Sequence, residues 1–124
     1  MDSAPLWVQI DQTLALLDVA LEECKNRAAE YARAEVGYQK TKAKRALEMK
    51  ADNMPVTLIE MVVKGDDEVA PKLLDRILAE ALYDHAREAR NVYKRKLDTL
   101  REEYQRQWGR AGIGGASGYQ QGDH

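Results

Sequence analysis

Apolar and polar positions along this chain fall into a repeat before any single residue stands out. Leu14, Leu17, Leu21, Cys24, Ala28, Tyr31, Glu35, Tyr38, Lys42, Arg45 and Met49 follow one another at alternating steps of three and four. That spacing predicts one continuous helix, over about residues 6–51, with a heptad-like stripe along one side. The stripe is apolar as far as Tyr38 and polar beyond it. A second series, Leu74, Leu78, Leu82, Ala86, Ala89, Tyr93, Leu97, Leu100, Tyr104 and Trp108, predicts another long helix over about 67–108.

Between the two lies "KADNMPVTLIEMVVKGDDEVAP", residues 50–71, which breaks the helical pattern. Asn53 and Pro55 are expected to stop the first helix, because a residue preceding proline is pushed out of helical geometry. Thr57 with Glu60 three residues later has the form of a capping box, which predicts a short helix over about 58–64. Gly65 is expected to end it in the left-handed conformation that glycine adopts at little cost. Asp66 or Asp67 then caps the last helix, with Pro71 in its first turn. At the other end Asp2 or Ser3 is expected to cap the first helix, with Pro5 in its opening turn. The pattern ends near Trp108, and "GRAGIGGASGYQQGDH" from Gly109 reads as a flexible glycine-rich tail over 110–124. Gly37, inside the first helix, weakens it by roughly 1 kcal/mol relative to alanine and invites a close approach.

The expected fold is therefore all-α. It is an antiparallel helical hairpin of long helix, short connecting helix and long helix within residues 1–109, coiled-coil-like in its packing. Composition agrees: 32% of the residues are charged, phenylalanine is absent, and good helix formers fill both long segments. No run approaches the roughly 18 apolar residues that span a bilayer, so no membrane association is expected. The acidic N-terminus does not resemble a signal peptide. The single cysteine, Cys24, forms no internal disulfide and suits a small buried thiol, in keeping with a cytoplasmic protein.

Net charge is only −2, but it is laid out in blocks. Residues 1–24 hold five acidic and no basic residues, and 25–50 hold eight basic against three acidic. Residues 51–84 reverse this with eight acidic against three basic, and 85–110 return to eight basic against four acidic. An antiparallel hairpin sets unlike blocks side by side, whereas parallel arms would set like beside like. Exposed pairs are each worth about 0–1 kcal/mol, so the pattern selects orientation more than it stabilises.

A two-helix hairpin of this length has much surface and little interior. Val36, Ala43, Leu47, Leu73 and Ile77 lie off the main stripes. Self-association, most simply a two-fold dimer forming a four-helix bundle, is the expected use of that excess. The densest apolar cluster, Leu58, Ile59, Met61, Val62 and Val63, has two readings: it closes the end of the core, or it docks a larger protein partner.

The segments "YQKTKAKR" and "RNVYKRK" mix tyrosines with bases. Tyr38, Lys40, Lys42, Lys44, Arg45, Arg90, Tyr93, Lys94, Arg95 and Lys96 are candidate nucleic-acid contacts, with bases gripping phosphates and rings stacking on nucleobases. The plainer reading makes the tyrosines core residues and the bases a solvated face paired with acids. Enzymatic chemistry, a small-molecule substrate and a cofactor are not expected. Ser3 and Ser117 are terminal, Cys24 has no partner, and "GIGGASG" joins no strand to a helix. Nor is a metal, since "LYDH" at His85 puts leucine where a di-iron bundle requires glutamate.

The layout "AEYARAEVGYQKTKAKRAL…MPVTLIE…DEVAPKLLDRILAEALYDHAREARNVYKRKLDTLREEYQRQW", with its helically spaced Tyr and Lys, its "PVT" turn and "AEALY", resembles small helical-hairpin proteins of phage and prophage genomes over residues 25–108. Such proteins often accompany recombination or single-strand-annealing genes. The resemblance implies an accessory role in DNA recombination or replication in the host cytoplasm, or inhibition of a host defence complex by steric block. It assigns no functional residue.

Overall fold

A computed structural model describes residues 4–111 of the chain. Helix α1 spans Leu6–Ala51, α2 spans Val56–Val62 and continues into a 3₁₀ turn at Val63–Gly65, and α3 spans Val69–Ala111. Among the described residues there is no strand. The fold is the all-α helical hairpin that the two heptad series predict. Helix α3 runs past the expected end at 108, so residues 110 and 111 are helical; the rest of the expected tail, like Asp2 and Ser3, lies outside the described residues.

The chain divides into two compact units, Met1–Leu21 with Ala89–His124, and Glu22–Glu88. In the first, the opening turns of α1 accompany the later part of α3, and Thr13, Ala20 and Leu97 are buried. Thr13 tolerates this because its hydroxyl donates to the Gln9 carbonyl at 2.8 Å, one turn back. Leu21, expected in the stripe, is exposed, and the small residue Ala20 takes the buried position beside it.

The second unit holds the main core. Tyr38, Met49, Ile59, Val63 and Val69 form one buried cluster, with Ala46, Met54 and Leu73 packed against it. Here the antiparallel arms are read directly from cross-helix pairs: the Tyr31 and Tyr83 rings stack at 6.2 Å, Glu35 meets Arg76 at 3.5 Å, and Arg45 meets Asp66 at 2.9 Å. Sequence numbers fall along one arm as they rise along the other. The inward stripe of α3 runs Val69, Leu73, Arg76, Tyr83, Ala86, whereas Leu74, Leu78 and Leu82, expected inside, are exposed. Tyrosine rings and the Arg76 stem fill the seam, and the leucines are left outside.

The corner is built by specific backbone chemistry. Asn53 is the one non-glycine with positive φ among the described residues, at 68°. Its N–H donates to the Lys50 carbonyl at 3.0 Å, and the Met54 N–H reaches back to the Met49 carbonyl at 3.1 Å. This is the two-bond pattern of a Schellman stop, with Met49 and Met54 in the same apolar cluster. Asparagine suits the position because its short polar side chain tolerates left-handed geometry.

Two expectations about the corner are corrected. Pro55, not Thr57, precedes the first residue of α2, and no side chain caps it; the Ile59 N–H bonds the Pro55 carbonyl at 3.0 Å. The helix therefore starts at Val56, with Thr57 inside it and no capping box formed. Gly65 does not adopt positive φ: the chain leaves the 3₁₀ turn through an Asp66 N–H to Val63 carbonyl bond at 3.1 Å and an extended Asp66. A 3₁₀ exit needs no left-handed residue.

Gly37 is likewise not a close-approach point. A methyl group there meets nothing within 4 Å. Gly37→Ala is expected to stabilise the chain by about 0.5–1 kcal/mol, the helix-interior cost of glycine, read as a rise in urea midpoint at unchanged slope.

Candidate interaction surfaces

The short helix α2 divides its apolar residues by period. Ile59 (7% exposed) and Val63 (3%), four apart, point into the core, while Leu58, Met61 and Val62 face solvent, Met61 at 78%. Ile59 and Val63 belong to the buried core, as the core-closing reading expects, whereas Leu58, Met61 and Val62 form an exposed apolar knob, with Val56 exposed nearby. A knob of this kind is rigid because its other side is anchored.

The anchor is reinforced by an ionic clasp. The Arg45 guanidinium donates to both Asp66 carboxylate oxygens, through Nε at 3.0 Å and Nη2 at 2.9 Å, and through Nη1 to Glu48. Glu68 approaches the same guanidinium at 3.7 Å and Lys44 at 3.9 Å. Asp66 also accepts the Glu68 backbone N–H at 3.0 Å, while the Val69 and Ala70 N–H groups bond its carbonyl. It is therefore the cap of α3 and one of the two expected capping residues. One carboxylate thus ties the end of α1 to the start of α3.

Arg45 donation, then the Glu68 N–H, hold the Asp66 carboxyl below the usual carboxylate range; partial desolvation opposes them. Arg45 is raised in turn, chiefly by Asp66 and then by Glu48. Because folded Asp66 binds its proton less readily than the unfolded chain does, the clasp contributes fully above the ordinary aspartate pKa and is lost as pH falls through the lowered one. Asp66→Asn keeps a capping oxygen but removes the charge. It is expected to lower the melting temperature at pH 7, and the gap from the parent is expected to close progressively below about pH 4.

The candidate nucleic-acid residues are distributed as follows. Tyr38 is 3% exposed in the core cluster, with the Arg76 guanidinium 5.3 Å and the Lys42 ammonium 5.6 Å from its ring centre, so it offers no face to a nucleobase. Arg45 and Lys44 face acids in the clasp. Arg90 bonds the Asn91 side-chain oxygen at 3.3 Å, and Tyr93 is half-buried. Lys40, Lys94, Arg95 and Lys96 are exposed. Residues 38–45 belong to one compact unit and 90–96 to the other.

Sequence reading missed Arg76. It sits in the seam of the second unit over the Tyr38 ring, 3.5 Å from Glu35 and 3.7 Å from Glu80. Its Nε is buried without a hydrogen bond. Arg76 lies off the series Leu74, Leu78 and Leu82, so the apolar pattern carries no signal for it. A surface hollow of about 420 Å³ is lined by Tyr104, Gln105, Trp108 and Gly109. All four come from neighbouring turns of α3, so no polar groups converge on it from different elements. Among the described residues no cluster of three His, Cys, Asp or Glu forms a metal site, and no helix is long and apolar enough to cross a membrane.

No family model, curated protein or solved structure matches this chain.

Proposed function

We propose that this protein is a non-enzymatic helical interaction module that docks a protein partner through the solvent side of α2. The observation that carries this reading is the division of the corner cluster, with Ile59 and Val63 fixed in the core and Leu58, Met61 and Val62 presented together on the outside. Three neighbouring apolar side chains held on an anchored helix form a preorganised contact whose ordering cost is already met by the fold. The resemblance to phage and prophage hairpin proteins makes an accessory factor in DNA recombination or replication, working in the host cytoplasm, the favoured setting. Steric block of a host defence complex would use the same knob.

The test is affinity capture from the native cell with the parent and with Leu58→Ser/Met61→Ser/Val62→Ser, each checked for an unchanged helical spectrum. Loss of a specific partner supports the reading; undiminished recovery removes the knob from it.

A second reading, nucleic-acid binding through exposed Lys40, Lys94, Arg95 and Lys96, is favoured by the absence of any buried role for those four. Buried Tyr38 and neutralised Arg45 weaken it. Salt-titrated binding to single- and double-stranded DNA separates the two, since phosphate contacts give affinity that falls steeply with salt. Negligible affinity at physiological salt excludes this second reading.

A further inference from the structure

Two of the three leucines that the α3 seam leaves outside, Leu74 and Leu78, share a face with other exposed apolar residues, while Leu82 lies further round the helix. In the Glu22–Glu88 unit, Ala29, Ala32, Val36, Ala43 and Leu47 on α1 are exposed, as are Leu74, Ile77, Leu78 and Ala81 on α3. Counting roughly 100° per residue, both sets lie about 80–180° clockwise of their own inward stripes when each helix is viewed from its start. The helices of this unit are antiparallel, so the same rotation on each turns both sets to the same side of the pair. Cross-helix pairs fix the level: Tyr31 opposite Tyr83 and Tyr38 opposite Arg76 put Val36 level with Ile77, Ala32 with Ala81 and Ala43 with Ala70. Val36 is 52% and Ile77 49% exposed. The opposite side of the pair instead carries Thr41, Lys44, Glu68, Lys72 and Asp75 among its surface residues.

We infer that this flat Ala/Val/Leu/Ile face is covered by a second copy of the chain, related by a two-fold axis parallel to the helices. Charge selects both the occupant and the axis. The α1 half of the face is bordered by Lys25 and Lys50, and the α3 half by Asp67, Asp84 and Glu88. A two-fold parallel to the helices lays α1 of one copy on α3 of the other at the same level. Lys25 then meets Glu88 of the second chain, Val36 meets Ile77, and alanine meets alanine. A two-fold across the helices would lay α1 on α1, setting lysine beside lysine and carboxylate beside carboxylate. A basic ridge beside an acidic ridge is complementary to itself under the first operation only.

Size agrees. Residues 25–47 span roughly 34 Å, and two helices are roughly 20 Å wide, giving about 700 Å² per copy against about 800 Å² in standard interfaces. Alanines on both ridges permit the close helix approach of a four-helix bundle. This interface is separate from the α2 knob and does not depend on the function proposed for it.

The full chain, 14.0 kDa, is expected to sediment at twice that mass at about 100 µM. Ile77→Glu is expected to raise the dissociation constant at least 100-fold with helical content retained, as truncating or charging a central apolar anchor does. The axis is read by cysteine pairing: an equimolar mixture of Val36→Cys and Ile77→Cys chains should cross-link under mild oxidation far faster than either variant alone. This comparison does not require any disrupted variant to fold. A parent chain that remains monomeric, a dimer indifferent to Ile77→Glu, or self-linking of Val36→Cys as fast as the mixture would each overturn the inference.

Discussion

Tyr38→Ala is expected to cost about 3–5 kcal/mol of folding stability, the range for removing a buried aromatic ring. A domain of this size has about 5–15 kcal/mol in total, so the variant should be partly or largely unfolded at room temperature. The ring is 3% exposed and shares the principal cluster with Met49, Ile59, Val63 and Val69. It also supports two cations: the Arg76 guanidinium lies 5.3 Å and the Lys42 ammonium 5.6 Å from its centre. Removing it strips the Arg76 guanidinium of its stacking surface while Nε already lacks a hydrogen bond. Tyr38→Phe keeps the ring and should stay within about 0.5 kcal/mol of the parent. Urea unfolding of the three chains measures both. A loss below about 1 kcal/mol in Tyr38→Ala would mean that the ring does not close this core.

The same residue illustrates what could be read from the sequence. Steps of three and four put Tyr38 on the inner stripe of α1 because periodicity identifies a packed face whatever side chains occupy it. Hence the polar positions Glu35, Lys42 and Arg45 were also placed toward the partner helix, where each is partly buried. The block charges foretold the antiparallel pairing that Arg45–Asp66 realises in the second unit, whereas Glu35–Arg76 joins the minority charges of the same two blocks. On the first turns of α3 the apolar pattern points to the wrong ridge. Two apolar ridges run along its first turns, and hydrophobicity alone favours Leu74, Leu78 and Leu82 over Val69, Leu73, Arg76 and Tyr83. The seam chose otherwise because Tyr31, Tyr38 and Tyr83 already fill it, leaving room for an arginine stem and for alanine. No hydropathy pattern encodes which of two ridges meets a facing tyrosine.

At the corner the miss has a different cause. A Thr–x–x–Glu box and a glycine after an apolar run are local signals, and both were outbid by packing. Starting α2 at Val56 sets Ile59 and Val63 on its inner side; a start at Leu58 would leave the placement of Ile59 to a single turn. The 3₁₀ exit at Val63–Gly65 needs no left-handed residue, and the positive φ falls instead at Asn53, where α1 ends. The apolar content of residues 58–63 was legible, but its division between core and surface depended on where the helix began.

That division predicts opposite fates for neighbours in the short helix. Ile59→Asp is expected to destabilise the chain by about 3–5 kcal/mol, combining the cavity left by isoleucine with the desolvation of a carboxylate among Met49, Val63 and Val69. The chain can avoid burying that charge only by releasing α2, so amide exchange over 56–65 should rise to that of an open segment. Met61→Asp places the same charge two residues away on the solvent side and should change stability by no more than about 0.5 kcal/mol. The pair separates folding from docking: Met61→Asp alone should abolish partner capture by a folded chain. Equal stability losses in the two variants would mean that α2 is rotated from the orientation described, and the knob with it.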